Sequence, residues 1–511
     1  METELKLLID KANVERFFSL PLLEKYAIKK PRQQKIINTY FDTPTLDIRK
    51  SSASLRIRHV NGEWVQTLKA GGSVDGGLHQ RNEWESKVDN PLPDLPTLRE
   101  LVEPDSSWAK LLRTPSLAES LRPIFTSRIK RTAWDLKLPV GDEIELVLDQ
   151  GSLERDGTEI PIDEIELELK SGTPDHLFDC ALEMIETVPL HIGNLSKAER
   201  GYMLYAPEQR NPVKAARLTL SNDLTVEQAF KAIAANCLAH IQHNEAGVVE
   251  GADPESIHQM RVGMRRLRSA LGLFEDVIAC PDTIKEELRW FAAKLGEARD
   301  WEVLAGMTLL KVHAAAPKRA DMQQLQQAAR DIARKNREEA SAAINSVRYT
   351  RLMLSFSGWM QETRQRDSIT GSAGNNLNLP IRKFAKRSLA DARKRLRKRE
   401  KRLHGNDAQA RHQVRIAAKK TRYATEFFQS LYPARQVRNY VDALSALQDD
   451  LGWLNDAVVA DGLLHRLQEE QPDFAGSAGF ARGYLAARIE SDIPHLEKRW
   501  KQFMKAKLFY Q

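Results

Sequence analysis

Met1-Glu2-Thr3-Glu4-Leu5-Lys6 opens the chain, and the reading of the first two hundred residues turns on it. In an extended strand successive side chains point to opposite faces, so Glu2, Glu4 and Lys6 share one face while Thr3, Leu5 and Leu7 share the other. Two carboxylates and an ammonium are thereby gathered on one side. Later strand-like stretches repeat this mixture, which implies that many strands contribute to one charged interior.

Those stretches follow in order. Gln34 to Phe41 leads into a turn at Asp42-Thr43-Pro44. Ser54 to Val60 alternates Arg56 and Arg58 with Leu55 and Ile57, and the Asn61-Gly62 turn folds it onto Glu63 to Ala70, which carries Thr67 and Lys69 in one phase. After a glycine-rich turn from Gly71 to Gly77, RNEWE places Arg81, Glu83 and Glu85 together. Ile124 to Leu138 is a basic strand with Arg128, Lys130 and Arg131. Asp142 to Gln150 presents Glu143, Glu145 and Asp149, and Ile160 to Lys170 presents Glu164, Glu166, Glu168 and Lys170. Helices are expected over Asn13 to Tyr26, Leu98 to Leu121 and Pro174 to Val188, and the Ser196–Arg200 stretch adds Lys197 and Arg200.

One such strand is most simply the wet side of an antiparallel sheet. Across about eight strands the charges sort by type, glutamate-rich on some and Arg/Lys-rich on others, and a sheet closed into a barrel would collect both sets in one polar lumen. Crowded carboxylates repel one another, and Mg²⁺ or Mn²⁺, hard cations that prefer carboxylate oxygen, would relieve that repulsion. Arg and Lys on the facing wall supply donors for phosphate oxygens. The combination fits metal-assisted phosphoryl chemistry, and no Ser/His/Asp or Cys/His arrangement offers a covalent nucleophile.

The ordered series ExExK, LRIR, TLK, RNEWE, ELVLDQG, EIELELKSG and SKAERGY resembles the CYTH domain of the triphosphate tunnel metalloenzymes over residues 1–206. The resemblance implies an α+β domain, an eight-stranded antiparallel tunnel with flanking helices that acts on a triphosphate with Mg²⁺ or Mn²⁺. It implies metal ligation by Glu2, Glu4, Glu164 and Glu166, with Glu168 available to either acid group. Glu83, Glu85, Glu145 and Asp149 would hold a second metal or position the attacking water. Lys6, Arg56, Arg58, Lys69, Arg128 and Lys197 would bind the phosphate chain, Lys69 also serving as a catalytic residue, with Arg81, Lys130, Lys170 and Arg200 as further candidates. Members of the family differ in substrate: inorganic triphosphate, thiamine triphosphate, or ATP converted to cyclic AMP. No stretch announces a pocket for a base, so inorganic triphosphate is expected. A tunnel that only binds would need the cations alone, which the full set of acids argues against.

The 511 residues exceed what one core supports and imply two or three domains. A hydrophobic fraction of 42% and a net charge of +7 describe a mildly basic protein with packed cores. Cys180, Cys237 and Cys280 are far apart with no CxxC pair and read as ordinary reduced cysteines, which argues against a disulfide framework or a thiolate zinc site. No uninterrupted apolar stretch of roughly 18 residues occurs and no basic, apolar leader opens the chain, so a cytoplasmic protein without membrane partners is expected, with polyphosphate granules as a further location.

Residues 207–221 read as a linker. From 222 to 511 the periodicity is helical, and the polar stretch Gly371 to Asn378 divides the region into halves of about 222–365 and 380–511. His258, Arg261, Arg265 and Arg268 in one half and His412, Arg415, Lys419 and Arg422 in the other share the spacing i, i+3, i+7, i+10, one face of a helix. LGEARD at 295–300 matches LGWLND at 451–456. Two such units are expected to face each other about a pseudo-twofold axis. Basic density peaks from Ile381 to Tyr423, in the runs Arg393 to Arg399, Lys401-Arg402 and Lys419-Lys420, with Asp391, Glu400 and Asp407 as its acids. A one-sided cationic stripe occurring twice repels itself unless an anion lies between the copies. The duplicated HxxR[VI]xx[KR][KR]xR resembles the CHAD domain. That resemblance implies an all-α module binding inorganic polyphosphate through His258, Arg261, Arg265, Arg266, Arg268, His412, Arg415, Lys419, Lys420 and Arg422. Arginine stripes attract any polyanion, duplex nucleic acid included, but no base-reading motif accompanies them. Oligomeric state leaves no trace in the sequence.

Overall fold

The computed structural model describes every residue except 208–210, 252, 317, 318, 320, 363–376, 400–407 and 511. Most of the polar stretch from Gly371, together with Glu400, Lys401, Arg402 and Asp407, thus lies outside the described residues. Two compact units are formed, Met1–Arg210 with Asn345–Glu362, and Asn211–Ile344 with Thr363–Gln511.

The first unit is the expected antiparallel barrel. Its strands are β1 (Glu2–Ile9), β2 (Arg32–Asp42), β3 (Ala53–Val60), β4 (Glu63–Asp75), β5 (Leu78–Val88), β6 (Arg122–Lys137), β7 (Glu143–Arg155) and β8 (Thr158–Ser171). They neighbour one another in the order β5-β4-β3-β2-β6-β7-β8-β1, and β1 returns to pair with β5, so the sheet closes. A short strand, β9 (Leu190–Ile192), adds to β1 through Leu7 and Ile192. The helices are α1 (Val14–Phe17), α2 (Pro21–Tyr26), α3 (Asp47–Lys50), α4 (Leu95–Leu101), α5 (Ser107–Leu112), α6 (Pro115–Ser120), α7 (Asp175–Ile185) and α8 (Lys197–Tyr205).

Alternation along the strands turns charge inward and apolar side chains outward, and the helices cover the apolar outside. Leu5 and Leu7 of β1, Leu146 and Leu148 of β7, and Ile165 and Leu167 of β8 pack with Leu177, Phe178, Ala181 and Met184 of α7. Leu55, Ile57 and Leu68 are capped by Leu95, Leu98, Ala109, Leu112 and Leu117 from α4 to α6. Each fully buried leucine or phenylalanine contributes about 1.5–3 kcal/mol, so this outer layer holds together a barrel whose inside is charged.

Two helical expectations are corrected in detail. The stretch 13–26 breaks at Leu20-Pro21, and 98–121 is three short helices whose reading frame begins earlier, at Leu95. Ser106 caps α5 by accepting from the Ala109 N–H at 3.1 Å, and Pro115 starts α6, so each begins afresh rather than continuing its predecessor. The turn expected from Gly71 to Gly77 is partly strand: β4 runs on to Asp75, with an irregularity between Ala70 and Ser73. Gly72 sits there at φ +90°, where a Cβ would lie 1.7 Å from the Gln80 carbonyl oxygen.

The second unit is helical: α9 (Val226–Gln242), α10 (Glu245–Glu250), α11 (Pro254–Phe274), α12 (Asp282–Val303), α13 (Leu309–Ala315) and α14 (Asp321–Ile344). Then comes α15 (Val347–Gln361), which is grouped with the barrel, followed by α16 (Ile381–Arg397), α17 (Ala408–Phe428), α18 (Ala434–Glu470) and α19 (Ala475–Lys505). The two repeat helices, α11 and α17, pack against each other, α11 also against α9 and α12, and α17 against α16 and α18. No helix among the described residues is long and apolar enough to cross a membrane.

Candidate active site

The barrel encloses a chamber of about 260 Å³ whose walls carry eight cationic and seven carboxylate side chains. Strand register sets the rows. Glu4 lies opposite Glu168, Glu168 opposite Glu145, and Glu145 opposite Asp135, so four neighbouring strands place acids side by side. Glu2 lies opposite Arg81 on the other flank of β1. Across the chamber, β3 presents Arg56 and Arg58, β4 Thr67 and Lys69, and β5 Arg81, Glu83 and Glu85.

Each acid group has its own partners. Lys69 pairs with Glu2 and, at 3.4 Å, with Glu83. Arg56 reaches Glu83 at 3.6 Å, and Glu85 lies 4.0 Å from Arg56 and 3.9 Å from Arg58. The neighbouring Arg56 charge, helped by burial, pulls Arg58 down to about 10. Burial disfavours the Glu85 charge, but the Thr67 hydroxyl, Arg58 and Arg56 outweigh it and hold the carboxyl below its usual range. At the acid row, Lys170 bridges Glu168 at 2.7 Å and Glu145 at 3.5 Å, and Arg32 bonds Glu145 at 2.6 Å and Asp135 at 2.5 Å. Burial raises the Glu168 carboxyl, with repulsion from Glu2 and Glu145 adding to it against the opposing pull of Lys170.

Behind the chamber is a tighter network. Asp149, with 0% side-chain exposure, takes two hydrogen bonds from Arg131 at 2.7 and 2.6 Å and an ion pair from Lys197 at 2.8 Å. Glu164, at 1%, pairs with Lys197 and with Arg200 at 2.9 Å. Glu166 receives Lys6, Lys197 at 3.0 Å and Arg131 at 2.8 Å. Burial disfavours every charge here, yet attraction wins: Lys6 is held well above its ordinary value and Glu166 well below. Oxygens of Asp149, Glu164 and Glu166 come within 4.8 Å of one another, the spacing of a metal cluster. Four cations, Lys6, Arg131, Lys197 and Arg200, pair with the carboxylates of that triad.

The structure therefore gathers most of the sequence candidates and separates a few. Glu2, Glu4, Lys6, Arg56, Arg58, Lys69, Arg81, Glu83, Glu85, Glu145, Glu166, Glu168, Lys170 and Lys197 line the chamber. Glu164, Asp149 and Arg200 stand behind it; Glu164 is two rungs beyond the Glu4–Glu168 pair, opposite Leu8 and Asp149. Arg128 and Lys130 are exposed on the outside, Arg128 pairing with Glu154 at 2.9 Å, because the inward phase of β6 is that of Ile129 and Arg131. Arg131, Asn38 and Tyr40 are chamber residues that sequence reasoning left out, as it did Arg32 among the partners of the acid row. A bidentate match between Arg131 and the acid opposite it, Asp149, was the available signal.

The helical unit builds a second charged site. Arg261 pairs with Asp300 at 2.6 Å, and its repeat counterpart Arg415 lies 3.8 Å from Asp456, so the two matched motifs make the same kind of contact. Arg265 and Lys419 sit at the next turn of α11 and α17, and among the described residues no carboxylate lies within 4 Å of either. Burial, then the charges of Arg265, Arg415 and Arg261, push the Lys419 amine down to about 6. His258 is driven down to about 4 by burial and Arg299, and His412 meets Asn455 at 2.9 Å. Other candidates lie elsewhere. Arg266 is buried, donating to Asn236 at 2.8 Å and lying over Phe427. Arg268 lines a cavity with Lys285 and Arg289, Lys420 one with Arg395 and Arg399, and Arg422 pairs with Glu426 at 2.6 Å. The stripe on each helix thus splits after its third member.

A CYTH domain model matches residues 1–202 and a CHAD domain model residues 232–465. An inorganic triphosphatase of Haemophilus influenzae is 35% identical over 209 residues, 40% of this chain, and the match spans 54% of that protein, about half its length. The crystal structure of the CHAD domain from the plant Ricinus communis is 40% identical, covering 58% of this chain and 98% of that one with a TM-score of 0.53. A Hippeastrum protein described as having a dominant triphosphatase activity is 19% identical over 39% of this chain and 93% of its own, with a TM-score of 0.29, a likeness too weak for inference. Residues 1–202 thus form a CYTH domain, and through residues 232–465 the chain belongs to the CHAD family.

Proposed function

We propose that the barrel hydrolyses inorganic triphosphate to pyrophosphate and phosphate, and that the helical unit binds inorganic polyphosphate. The observation that carries the first part is the chamber itself, ringed by the closed sheet and lined with facing banks of acids and bases. Its eight cations and seven carboxylates nearly cancel. A multiply charged triphosphate entering alone would leave its charge uncompensated, and divalent cations entering with it restore the balance. The donor set fits such ions: Glu2, Glu4 and Glu168 offer carboxylate oxygens into the same chamber, as Mg²⁺ or Mn²⁺ requires. When bound, such an ion supplies electrostatic stabilisation of charge on the phosphate oxygens. Arg56, Arg58, Lys69 and Arg81 are placed to orient the phosphate chain, and Glu83 and Glu85, held ready by Lys69, Thr67 and the arginines, to accept a hydrogen bond from the attacking water. Positioning and charge neutralisation are most of what phosphoryl transfer asks of a protein.

The only apolar aliphatic side chains among the lining residues are Ile36, Ile129 and Ala198. They offer little to a nucleobase or a thiazolium ring, which favours the inorganic substrate, as does the curated Haemophilus relative. Phosphate release from triphosphate by the purified chain, assayed with Mg²⁺, with Mn²⁺ and with chelator, tests the reading. Turnover should require the metal and collapse in Glu4→Gln. Conversion of ATP to cyclic AMP with triphosphate left intact would overturn it.

For the helical unit, Arg261, Arg265, Arg415 and Lys419 converge, and two of them lack an acid partner among the described residues. Such a cluster is stabilised by a bound polyanion. Polyphosphate should bind with strong salt dependence, and tighter binding of duplex DNA at equal charge would reject the assignment.

A further inference from the structure

Helix α15 falls within the span matched by the CHAD domain model, 232–465, yet it packs in the barrel unit. Leu354, with 0% exposure, belongs to the same apolar cluster as Leu5, Leu7, Ile165 and Leu167, the reverse sides of the strands that bear Glu2, Glu4, Lys6, Glu164, Glu166 and Glu168; Val347 packs at its edge. Gly358 meets Phe178 of α7, where a Cβ would stand 3.0 Å from the Phe178 Cβ. Arg351 pairs with Glu186 just past the end of α7. The helix also lies against β9, the short strand held to β1 through Leu7, Leu8 and Ile9.

We propose that α15 is a structural member of the catalytic unit, a helix that the chain supplies from the middle of its helical region to clamp α7 and β9 onto the back of the acid-bearing strands. The surface it occupies is the outer face of α7 and β9, and its occupant is residues 347–361 of the same chain. Three kinds of complementarity support this assignment: an apolar side chain seated in a core, a glycine that admits an aromatic ring, and an ion pair at the edge. The proposal does not depend on which triphosphate the barrel hydrolyses.

Hydrogen exchange on the full-length protein tests it without reference to activity. Leu354→Ala should speed exchange of the α7, β9 and β1 amides about tenfold or more, while α11 and α17 keep their protection and polyphosphate affinity is unchanged. Wild-type protection in α7 and β9, or faster exchange confined to α14 and the other helices, would overturn the proposal. Because Leu354→Ala could simply unfold, a charge swap provides a second arm. Arg351→Glu should loosen α7 and β9, and adding Glu186→Arg should restore them. Arg351→Glu with wild-type protection, or a double variant as loose as the single one, counts equally against the proposal.

Discussion

Arg131 and Lys130 are adjacent in sequence and face opposite sides of the barrel wall. Removing Arg131 leaves the fully buried Asp149 with Lys197 alone, so Arg131→Ala should cost about 3 kcal/mol, measured by urea unfolding of the barrel. Arg128→Ala and Lys130→Ala, on the outside, should each change stability by no more than about 0.5 kcal/mol and leave triphosphate turnover as it was. The sequence could not separate these cases, because both phases of β6 mix charge with apolar residues, and a one-residue slip moves every side chain to the other face. Where a strand has one clearly charged phase, as in β1, β3 and β8, the inward set was legible from alternation alone. Lys419 carries a second prediction at this scale. Its folded-state value near 6 lies below the ordinary 10.5, so between those limits the unfolded chain holds more protons than the folded one. Stability must therefore rise with pH through that window. Calorimetry should show the helical unit unfolding at a higher temperature at pH 9 than at pH 7, with Lys419→Met removing the difference. Polyphosphate, by favouring the charged amine, should also flatten the dependence.

Among elements, strands were easier to read than short helices. The Asn61-Gly62 hairpin and the alternating runs located six of the eight barrel strands to within a few residues, since turn chemistry and period two are local properties. The breaks between α4, α5 and α6 depend on a serine cap and a proline start inside a stretch whose apolar spacing runs on without interruption. The continuation of β4 past Ala70 was hidden for another reason. Gly71 and Gly72 read as a turn, whereas the structure uses Gly72 where the two strands approach most closely. Gly72→Ala should accordingly destabilise the barrel by about 2 kcal/mol or more, through both its positive φ and the Gln80 carbonyl, as a lowered midpoint in denaturant. The stripe of spacing i, i+3, i+7, i+10 predicted one helix face correctly. It could not show that Arg268 and Arg422 find neighbours of their own, because that depends on which helices pack alongside.

At the scale of the whole molecule, two charged sites were legible as separate compositional regions, and the grouping of α15 with the barrel was not, since nothing local distinguishes a helix that packs on a distant core. The two sites should be separable in function. Arg265→Ala combined with Lys419→Ala should weaken polyphosphate binding about tenfold or more at fixed salt while the triphosphatase rate is unchanged, measured on the same preparation. The closure of β1 also governs the order of events during synthesis. Strand β1 leaves the ribosome well before its hydrogen-bonding partners, which follow only when Leu78–Arg81 and then Glu164–Glu168 have emerged, and its supporting core gains Leu354 far later still. Until then its edges are open and its carboxylates face no lysine or arginine from the later strands. A nascent chain of this kind accumulates unpaired strand for much of its translation, so its yield should depend on elongation rate and on chaperone holding more than the stability of the finished barrel would suggest.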